Sequence, residues 1–335
     1  MLNIAIVIAD TNNSSIKTIS TSIRNGLKNK CKIRIYAVKQ SIYDHQIQRL
    51  TFNIHQLGKY DIIQLHSALP ITFSPLFRII YPKAIIISTE QDFGWKYFKN
   101  TLPLHKSILL RILLHFGRLL CHYNTYPSLA LMKNVLSKKK QLRMRYRVVY
   151  NGIDDIDIYK KNVMPQKIVV VGNYYYSKGF DIIIDNLNSL SSYEIHVFGK
   201  VGEDKTMQSV SSIQKNIILH GKVPRDEYLG FIKTNDCIIC IPSRTEAFCL
   251  VLIEGMSAKC PVVVSNIDVF RELTSPKTAV MFNLEDRYSL ASAIKKAQQN
   301  HKRITDNAHA IYKKKYTTEA MVKNYHILYN NILTD

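Results

Sequence analysis

The sequence lacks the long apolar segments and the glycine pattern that mark several common classes of protein. No run of about 18 uninterrupted apolar residues occurs, which argues against a membrane-spanning helix. Residues 1–10 have neither the basic flank nor the small-residue cleavage site of a signal peptide. The dinucleotide fingerprint G-x-G-x-x-G is also absent, so a hydride-transfer enzyme has little support. We therefore expect a cytoplasmic protein.

Acidic residues are scarce, with 25 Asp and Glu against 46 Lys and Arg, and the formal net charge is +21. Such an excess attracts anionic partners, including nucleic acid, acidic lipid and phosphorylated substrates. No pattern of a known RNA-binding or DNA-binding module accompanies it, which disfavours nucleic acid. An anionic membrane surface or a phosphorylated substrate is the expected partner.

Cysteine is used sparingly, and most of the six cysteines lie in apolar runs, where a thiol behaves as a small hydrophobic group. Cys237 and Cys240 form a C-x-x-C pattern, but the pattern lies in a strand-like run. Positions three apart on a strand face opposite sides of a sheet. Reduced, structural cysteines are predicted, and no metal site.

Short β-branched runs alternate with helical patterns through the whole chain. Strands are predicted at 3–8, 32–38, 61–66, 84–88, 167–171, 194–198, 216–220, 236–241 and 261–265, and helices over 14–29 and 41–57. This alternation is typical of an α/β fold with parallel sheets covered by helices. Ligands of such folds bind beyond the carboxyl ends of the strands.

The length of 335 residues and the 46% hydrophobic composition are sufficient for two cores. The polar stretch 159–166 is the clearest break in hydrophobic periodicity. We predict a first domain over 1–158, a second over 159–317, and a helix over 318–335 that crosses back to the first domain.

Glu246 and Glu254 bracket an apolar segment that follows the strand at 236–241 and a short polar turn. If a helix begins at 247–250, its first amides are donors beside the positive end of the helix dipole. Glu254 would lie roughly two helical turns after Glu246. The pattern predicts a phosphate-binding site with carboxylates beside it. The alternative is a buried helix whose glutamates are a cap and a surface residue.

A second phosphate-binding site is predicted after the strand at 167–171. Gly172 would allow a sharp turn, and Lys178 would place an ammonium at the start of a helix, where it can neutralise a diphosphate. A lysine and glycine at a helix start are common, however, so this motif alone is weak.

Two further features concern the first half. Arg111, His115, Arg118 and His122 form a cationic stripe on an otherwise apolar helix over 105–122. Together with the basic cluster at 138–147, this pattern favours an anionic membrane interface. The alternative is a core helix with one solvated face.

The carboxyl ends of two first-half strands also carry polar side chains. His66 ends one strand, and Glu90 and Asp92 follow the next. We predict that these residues contact the acceptor or the sugar. For His66 the alternative is a structural histidine.

The segment 221–273 resembles the donor-binding domain of the family 4 retaining glycosyltransferases, which have the GT-B fold of two Rossmann-like domains with parallel sheets facing across a cleft. Residues 148–154 resemble the interdomain signature of that family, and 172–179 resemble its phosphate motif. Residues 239–256 match its E-x7-E segment. The first half resembles the family in architecture alone, as the acceptor-side domain.

The resemblance implies a role for each site residue. Glu246 would contact the transferred sugar, Glu254 would hold the ribose, and Lys178 would neutralise the leaving group. The remaining donor-binding residues implied are Gly172, Asn173, Arg244, Phe248, Cys249 and Leu250. Neither a metal nor another cofactor is expected. Asn173 stands where the family usually has arginine, and Tyr174, Ser177 or Arg244 could compensate.

The predicted function is a metal-independent, retaining hexosyltransferase that uses a nucleotide diphosphate sugar. Its acceptor would be a glycan, specifically a lipid-linked oligosaccharide of lipopolysaccharide O-antigen or capsule synthesis, at the inner face of the cytoplasmic membrane. The alternatives are a GT-B nucleotide-sugar epimerase or phosphorylase, and a non-catalytic basic binding protein on a degenerate GT-B scaffold.

Overall fold

The predicted alternation of strands and helices is present in two separate units. The computed structural model describes residues 1–12, 14–51, 56–93, 103–136, 141, 144–159, 163–200, 216–286 and 288–334. Residues 1–152 and 318–335 form the first unit, and residues 153–317 form the second. The division falls inside the motif 148–154 and a few residues before the boundary drawn from the sequence.

The first unit is built on a parallel sheet. Its strands are β1 (Leu2–Asp10), β2 (Cys31–Lys39), β3 (Ile47–Arg49), β4 (Ile62–His66), β5 (Ile85–Thr89), β6 (Tyr123–Tyr126) and β7 (Tyr146–Val148). Across the described residues, the strand order is β3-β2-β1-β4-β5-β6-β7. The helices are α1 (Ser14–Gly26), α2 (Ala68–Ile71), α3 (Ser74–Ile80), α4 (Leu104–Leu120), α5 (Leu129–Val135) and the C-terminal α12 (Thr318–Thr334).

Burial explains the composition of the central strands. Every residue from Ile4 to Ile8 in β1 is fully buried, because helices cover both faces of a parallel sheet. Helix α12 packs on α1 within this unit. Its Tyr329 hydroxyl donates a hydrogen bond to the side chain of Gln64 in β4.

The second unit repeats this plan on a shorter sheet. Its strands are β8 (Lys167–Val171), β9 (Glu194–Phe198), β10 (Ile217–Gly221), β11 (Cys237–Ile241), β12 (Val262–Ser265) and β13 (Val280–Phe282). In the described part of this unit the order is β10-β9-β8-β11-β12-β13. The helices are α6 (Phe180–Asp185), α7 (Arg225–Thr234), α8 (Leu250–Ser257), α9 (Asp268–Leu273), α10 (Ser289–Gln299) and α11 (His301–Lys315), and Tyr176–Lys178 is a single 3₁₀ turn.

All nine predicted strands are confirmed, but the helix predicted over 41–57 is wrong. The described residues of that range form a loop and the short strand β3. Ile47 pairs with Ile35 of β2, and Ile47 and Leu50 are buried against the unit. Pairing with a neighbouring strand therefore overrides a helix-like spacing of apolar residues.

No helix within the described residues is both long enough and apolar enough to cross a lipid bilayer. The six cysteines are free, and five of them are buried. Cys237 contacts Cys260, with their sulfur atoms 3.8 Å apart, whereas Cys240 packs in the hydrophobic core of the second unit. The two members of the C-x-x-C pattern therefore have different surroundings.

Candidate functional site

The topology of the second unit brings two loops together. Strand β8 lies between β9 and β11, so the chain leaves β8 toward one side of the sheet and later returns on the other. Loops that diverge at such a point leave a crevice at the carboxyl ends of the strands. Here the loops are residues 172–179 after β8 and 242–249 after β11. Both contain residues singled out from the sequence.

The central contact of these loops joins Lys178 and Glu246. The ammonium nitrogen of Lys178 lies 2.5 Å from Oε1 of Glu246. Ser243 donates a second hydrogen bond, 2.8 Å long, to the same oxygen. The Glu246 side chain is 11% exposed, and that of Lys178 is 34% exposed. The pair is therefore partly shielded from water and still open to a ligand.

Two opposed effects set the pKa of Lys178. Burial lowers the pKa of the ammonium, because the charged form loses solvation, while the charge of Glu246 and the hydrogen bond to it raise the pKa. The net shift is upward. Lys178 therefore stays protonated at neutral pH and offers a permanent positive charge.

Close backbone approach holds the first loop in place. Gly179 has a φ of 69°, and a Cβ atom there would lie 2.0 Å from the carbonyl oxygen of Pro242. Gly199, after β9, has a φ of 146°, and its Cβ would lie 1.8 Å from the carbonyl oxygen of Gly172. Only glycine fits these positions, so the ends of β8, β9 and β11 are drawn tightly together.

The side chain of Asn173 connects two loops by a hydrogen bond. Its side-chain oxygen accepts a hydrogen bond of 3.2 Å from the backbone amide of Lys200, and thereby links the loop after β8 to the loop after β9. The residue brings no positive charge to the site where the family usually has arginine.

Arg244 is held by Asp181. Its two terminal nitrogens donate to the two carboxylate oxygens at 2.8 and 2.6 Å, and its guanidinium stacks 4.0 Å from the centroid of the Tyr176 ring. The hydrogen bond from Arg244 is the main reason that the pKa of Asp181 is lowered. The charge of Arg244 is thus offset by a carboxylate in the structure.

Helix α8 begins at Leu250, the last residue of the range 247–250 in which its start was predicted. Cys249 precedes the helix with a φ of 79°, in the left-handed region that non-glycine residues rarely adopt. Phe248 is buried and packs edge-on against Tyr316 at 6.0 Å. This anchor fixes the turn that carries Glu246 and directs the amino-terminal end of α8 toward the crevice side of the sheet.

Glu254 lies inside α8 and is almost fully buried. Its Oε1 accepts a hydrogen bond of 2.7 Å from Nε of Arg225 and forms a salt bridge of 2.5 Å with Nη2 of the same residue. Its Oε2 accepts a hydrogen bond of 2.6 Å from the Tyr228 hydroxyl. Burial first, and then the nearby carboxylate, raise the pKa of Tyr228, so the hydroxyl remains a donor. Both oxygens of Glu254 therefore have partners on α7.

Arg225 and Tyr228 were not predicted from the sequence. Only the position of Arg225 in the sequence could have indicated its role. Arg225 begins the helix that follows β10, and the carboxyl end of β10 lies at the same edge of the sheet as the other site residues. Without the strand order, nothing in the sequence places that helix beside Glu254.

The three weaker candidates lie in the first unit, after β4 and β5. His66 is fully buried, its Nδ1 is 3.3 Å from the Ser20 hydroxyl, and burial lowers its pKa to about 3. Glu90 is fully buried and forms a salt bridge with Arg118, whereas Asp92 is partly exposed. Their contact with an acceptor or sugar stays a prediction.

The cationic stripe is only partly on one helix. Arg111, His115 and Arg118 lie on α4, but the helix ends at Leu120, so His122 lies beyond it. His122 accepts a hydrogen bond of 2.8 Å from the amide of Ile86 and contacts Arg78. Much of the basic cluster at 138–147 lies outside the described residues.

Comparison with known protein families identifies the domain that carries this site. The family model described as "Glycosyl transferases group 1" matches residues 153–316. The second unit is a group 1 glycosyltransferase domain. The matched segment contains Lys178, Glu246 and Glu254 and spans nearly all of the second unit, residues 153–317.

Relatives match the glycosyltransferase over its whole length. The O-antigen biosynthesis glycosyltransferase WclY of Escherichia coli is 25% identical over 362 aligned positions, which cover 100% of this chain and 99% of the relative.

Solved structures share the fold at low sequence identity. A sucrose-phosphate synthase from Thermosynechococcus elongatus superimposes with a TM-score of 0.78 at 12% identity, covering 100% of both chains. HepE of Anabaena, solved in complex with UDP-glucose, superimposes with a TM-score of 0.78 at 14% identity, covering 99% of this chain and 100% of that one. The predicted GT-B fold of the glycosyltransferase is thereby confirmed.

Proposed function

We propose that this glycosyltransferase moves a hexose-type sugar from a nucleotide diphosphate sugar to a glycan acceptor, with retention of the anomeric configuration and without a metal ion. The observation that carries the proposal is the Lys178 to Glu246 pair, which lies at the switch point of the sheet beside the amino-terminal end of α8. A fixed cation next to a helix N-terminus suits a diphosphate.

Lys178 supplies the electrostatic part of catalysis. As the bond between the anomeric carbon and the diphosphate oxygen breaks, negative charge grows on the leaving diphosphate. A cation positioned in advance stabilises that developing charge more than it stabilises the bound substrate, which lowers the barrier. A protein cation in this role makes a divalent metal unnecessary.

Retention follows if the acceptor attacks the face that the diphosphate leaves. The acceptor hydroxyl forms the new bond to the anomeric carbon, and its proton passes to an oxygen of the departing diphosphate. Glu246 contacts the transferred sugar in this scheme. Glu254 holds the ribose, and Arg225 and Tyr228 orient its carboxylate by the hydrogen bonds described above.

The proposed acceptor is a lipid-linked oligosaccharide of surface polysaccharide synthesis, and the proposed location is the cytoplasmic face of the membrane. Support comes from the full-length similarity to a protein named for O-antigen biosynthesis and from the net charge of +21, which favours anionic surfaces.

A ligand screen tests the donor assignment. A ligand that binds the folded state alone raises the apparent melting temperature. We expect one among UDP, GDP, ADP, CMP and their sugar conjugates to raise the melting temperature of the wild type and not that of Glu254→Ala. The exposed Glu285→Ala, in the same unit, should keep the wild-type response. If no nucleotide raises it in any variant, the donor site is wrongly assigned.

Product analysis tests the mechanism. With the donor identified, NMR of the product should show the anomeric configuration of the donor sugar, and a chelator should leave turnover unchanged. Inverted product would refute retention, and loss of turnover restored by a divalent cation would refute metal independence.

A further inference from the structure

Helix α4 in the first unit exposes a continuous row of apolar side chains. Leu104, Ile108, Ile112 and Phe116 follow one another at a spacing of four, so each lies next to the one before it on the helix surface, and Leu120 continues the row. Their relative exposures run from 44% to 74%. We call this row the apolar ridge.

The exposed apolar surface extends beyond the apolar ridge to a neighbouring helix. Helix α3, which packs on α4, also exposes Leu76 and Ile79, the latter by 78%. Neighbouring large apolar side chains at a protein surface mark a site that contacts a partner or a membrane. The few buried positions of α4 include Ser107, Leu114 and Gly117. The helix therefore contacts the rest of its unit through few residues, and most of its large apolar side chains face outward.

A cationic cavity opens beside the ridge, between α4 and α5. Its volume is about 230 Å³, and its lining includes Arg111, His115, Arg118, Asn134, Leu119 and Met144. One water in the liquid occupies about 30 Å³, so the cavity has room for a group of several non-hydrogen atoms. Leu119 is both a lining residue and an exposed apolar residue of α4, which makes the cavity and the apolar surface adjacent.

The chemistry of the lining favours a phosphoryl group. Arg111 and Arg118 present guanidinium groups, whose planar arrangement of N–H donors matches the oxygens of a phosphate. Glu90 forms a salt bridge with Nε of Arg118, and this contact offsets the charge of the guanidinium. The Nη2 atom of Arg118 is buried and has no hydrogen-bond partner among the described residues.

We propose that this cavity binds the phosphoryl group of a lipid while the apolar ridge enters the hydrocarbon edge of the membrane. The phosphoryl oxygens accept hydrogen bonds from Arg111 and Arg118, and the lipid's chain remains in the bilayer beside Ile112 and Phe116. The proposal deepens the proposed function, on which it rests for the meaning of a lipid-linked acceptor, but the binding itself requires no turnover.

Vesicle binding by the full chain tests the site. Flotation is measured with vesicles of phosphatidylcholine alone and with vesicles that also contain dihexadecyl phosphate, in the absence and presence of inorganic phosphate. We expect binding to the vesicles that contain the anionic dihexadecyl phosphate and not to those of zwitterionic phosphatidylcholine alone, whose phosphate carries a choline cation. Binding that free phosphate abolishes completely, together with equal protection by free phosphate against unfolding, would assign the cavity to a soluble phosphate and overturn the lipid assignment.

Matched variants separate the cavity from general charge attraction. Arg111→Gln and Lys106→Gln each remove one positive charge from α4, but Lys106 is exposed and does not line the cavity. Loss of a charge-assisted hydrogen bond should weaken binding about tenfold or more for Arg111→Gln. Loss of one surface charge should weaken it about fivefold at most for Lys106→Gln. Equal losses would mean that the cavity is not a binding site.

A second pair tests the ridge. Ile112→Ser should weaken vesicle binding about tenfold, because an apolar side chain no longer enters the bilayer. Ile42→Ser, at a similarly exposed position of the same unit, should have no effect. If Ile112→Ser binds vesicles as well as the wild type, the ridge faces something other than a membrane, such as a partner protein.

The nucleotide response distinguishes this proposal from the proposed function. Arg111→Gln and Ile112→Ser should keep the wild-type melting-temperature shift with the donor nucleotide, because they lie in the other unit from Lys178 and Glu246. A normal nucleotide shift without vesicle binding would refute the lipid site alone. Vesicle binding without any nucleotide shift would refute the donor assignment alone.

Discussion

The ammonium of Lys178 lies 2.5 Å from a carboxylate oxygen of Glu246, although 68 positions separate the two residues in the sequence. The contact joins the loops after two neighbouring strands, β8 and β11. A lysine ammonium has three donors, so the bond to Glu246 leaves others for a ligand. The pair therefore holds a cation in place before substrate binds, while Glu246 balances its charge.

Removal of the Lys178 charge should reduce the rate of transfer more than donor binding. We expect Lys178→Met to lower kcat by about 10²–10³, because the cation acts on charge that develops in the transition state. Lys295→Met, an exposed lysine of the same unit, should keep the wild-type kcat. Steady-state kinetics with the identified donor checks this, and an unchanged kcat in Lys178→Met would exclude Lys178 from catalysis.

The hydrogen bond from Tyr228 to Glu254 should contribute more to stability than an ordinary tyrosine hydrogen bond. Tyr228→Phe leaves a buried carboxylate short of one donor and should lower the free energy of unfolding by about 1.5–3 kcal/mol.

Tyr193→Phe is the matched control, since the Tyr193 hydroxyl donates to the neutral side chain of Gln298 at 2.9 Å. That change should lower the free energy of unfolding by about 0.5–1.5 kcal/mol. Urea unfolding of both variants decides. Equal losses would mean that Glu254 does not depend on Tyr228.

Burial of His66 should make the first unit sensitive to mild acid. Burial lowers the pKa of His66 from 6.5 to about 3, so the unfolded chain binds the proton more readily than the folded one. Stability from this residue is complete above pH 6.5 and is lost as the pH falls toward 3, by up to about 1.4 kcal/mol per pH unit.

His66→Gln removes this titration and should flatten the fall of the melting temperature between pH 6.5 and 4.5, a window that lies between the two pKa values. The same substitution at exposed His45 is the control. If the melting temperatures of wild type and His66→Gln fall in parallel, His66 is already accessible to protons in the folded state.

The fold could be predicted from sequence because its strands are buried on both faces. Runs such as Ile4–Ile8 and Cys237–Ile241 are almost continuously apolar, as is typical of central strands in a parallel sheet. Strand β6 was missed because it buries the polar residues Asn124 and Thr125, which hydrogen-bond to the neighbouring strand through Ser88 and Thr89. Satisfied polar groups inside a sheet leave no hydrophobic pattern to detect.

The site could be predicted only in part, because spacing along the chain carries no information about distant partners. Glu246 and Glu254 were identified from their positions around an apolar segment, and Lys178 from its position after the strand at 167–171 and Gly172, at the start of a predicted helix. That Lys178 contacts Glu246, and that Arg225 and Tyr228 bind Glu254, depends on the order β10-β9-β8-β11. Strand order is a tertiary property, so these contacts had to be read from the structure.

The role of Arg244 provides the last prediction. Asn173 brings no cation to the donor site, and Arg244 is one of the residues that could compensate. In the structure both terminal nitrogens of Arg244 bind Asp181, so its charge is already offset. We therefore expect Arg244→Gln to lower kcat much less than Lys178→Met does. Because the pair with Asp181 is partly exposed, the change in stability should be about 1 kcal/mol or less.

Asp181→Asn is the informative partner variant. It keeps the size of the side chain but releases the guanidinium of Arg244 from its carboxylate. If Arg244 can serve the diphosphate, donor affinity measured by calorimetry should rise in Asp181→Asn and fall back in the double variant with Arg244→Gln. If Arg244→Gln alone lowers kcat as strongly as Lys178→Met, Arg244 leaves Asp181 when the donor binds, and it is then the second cation of the site.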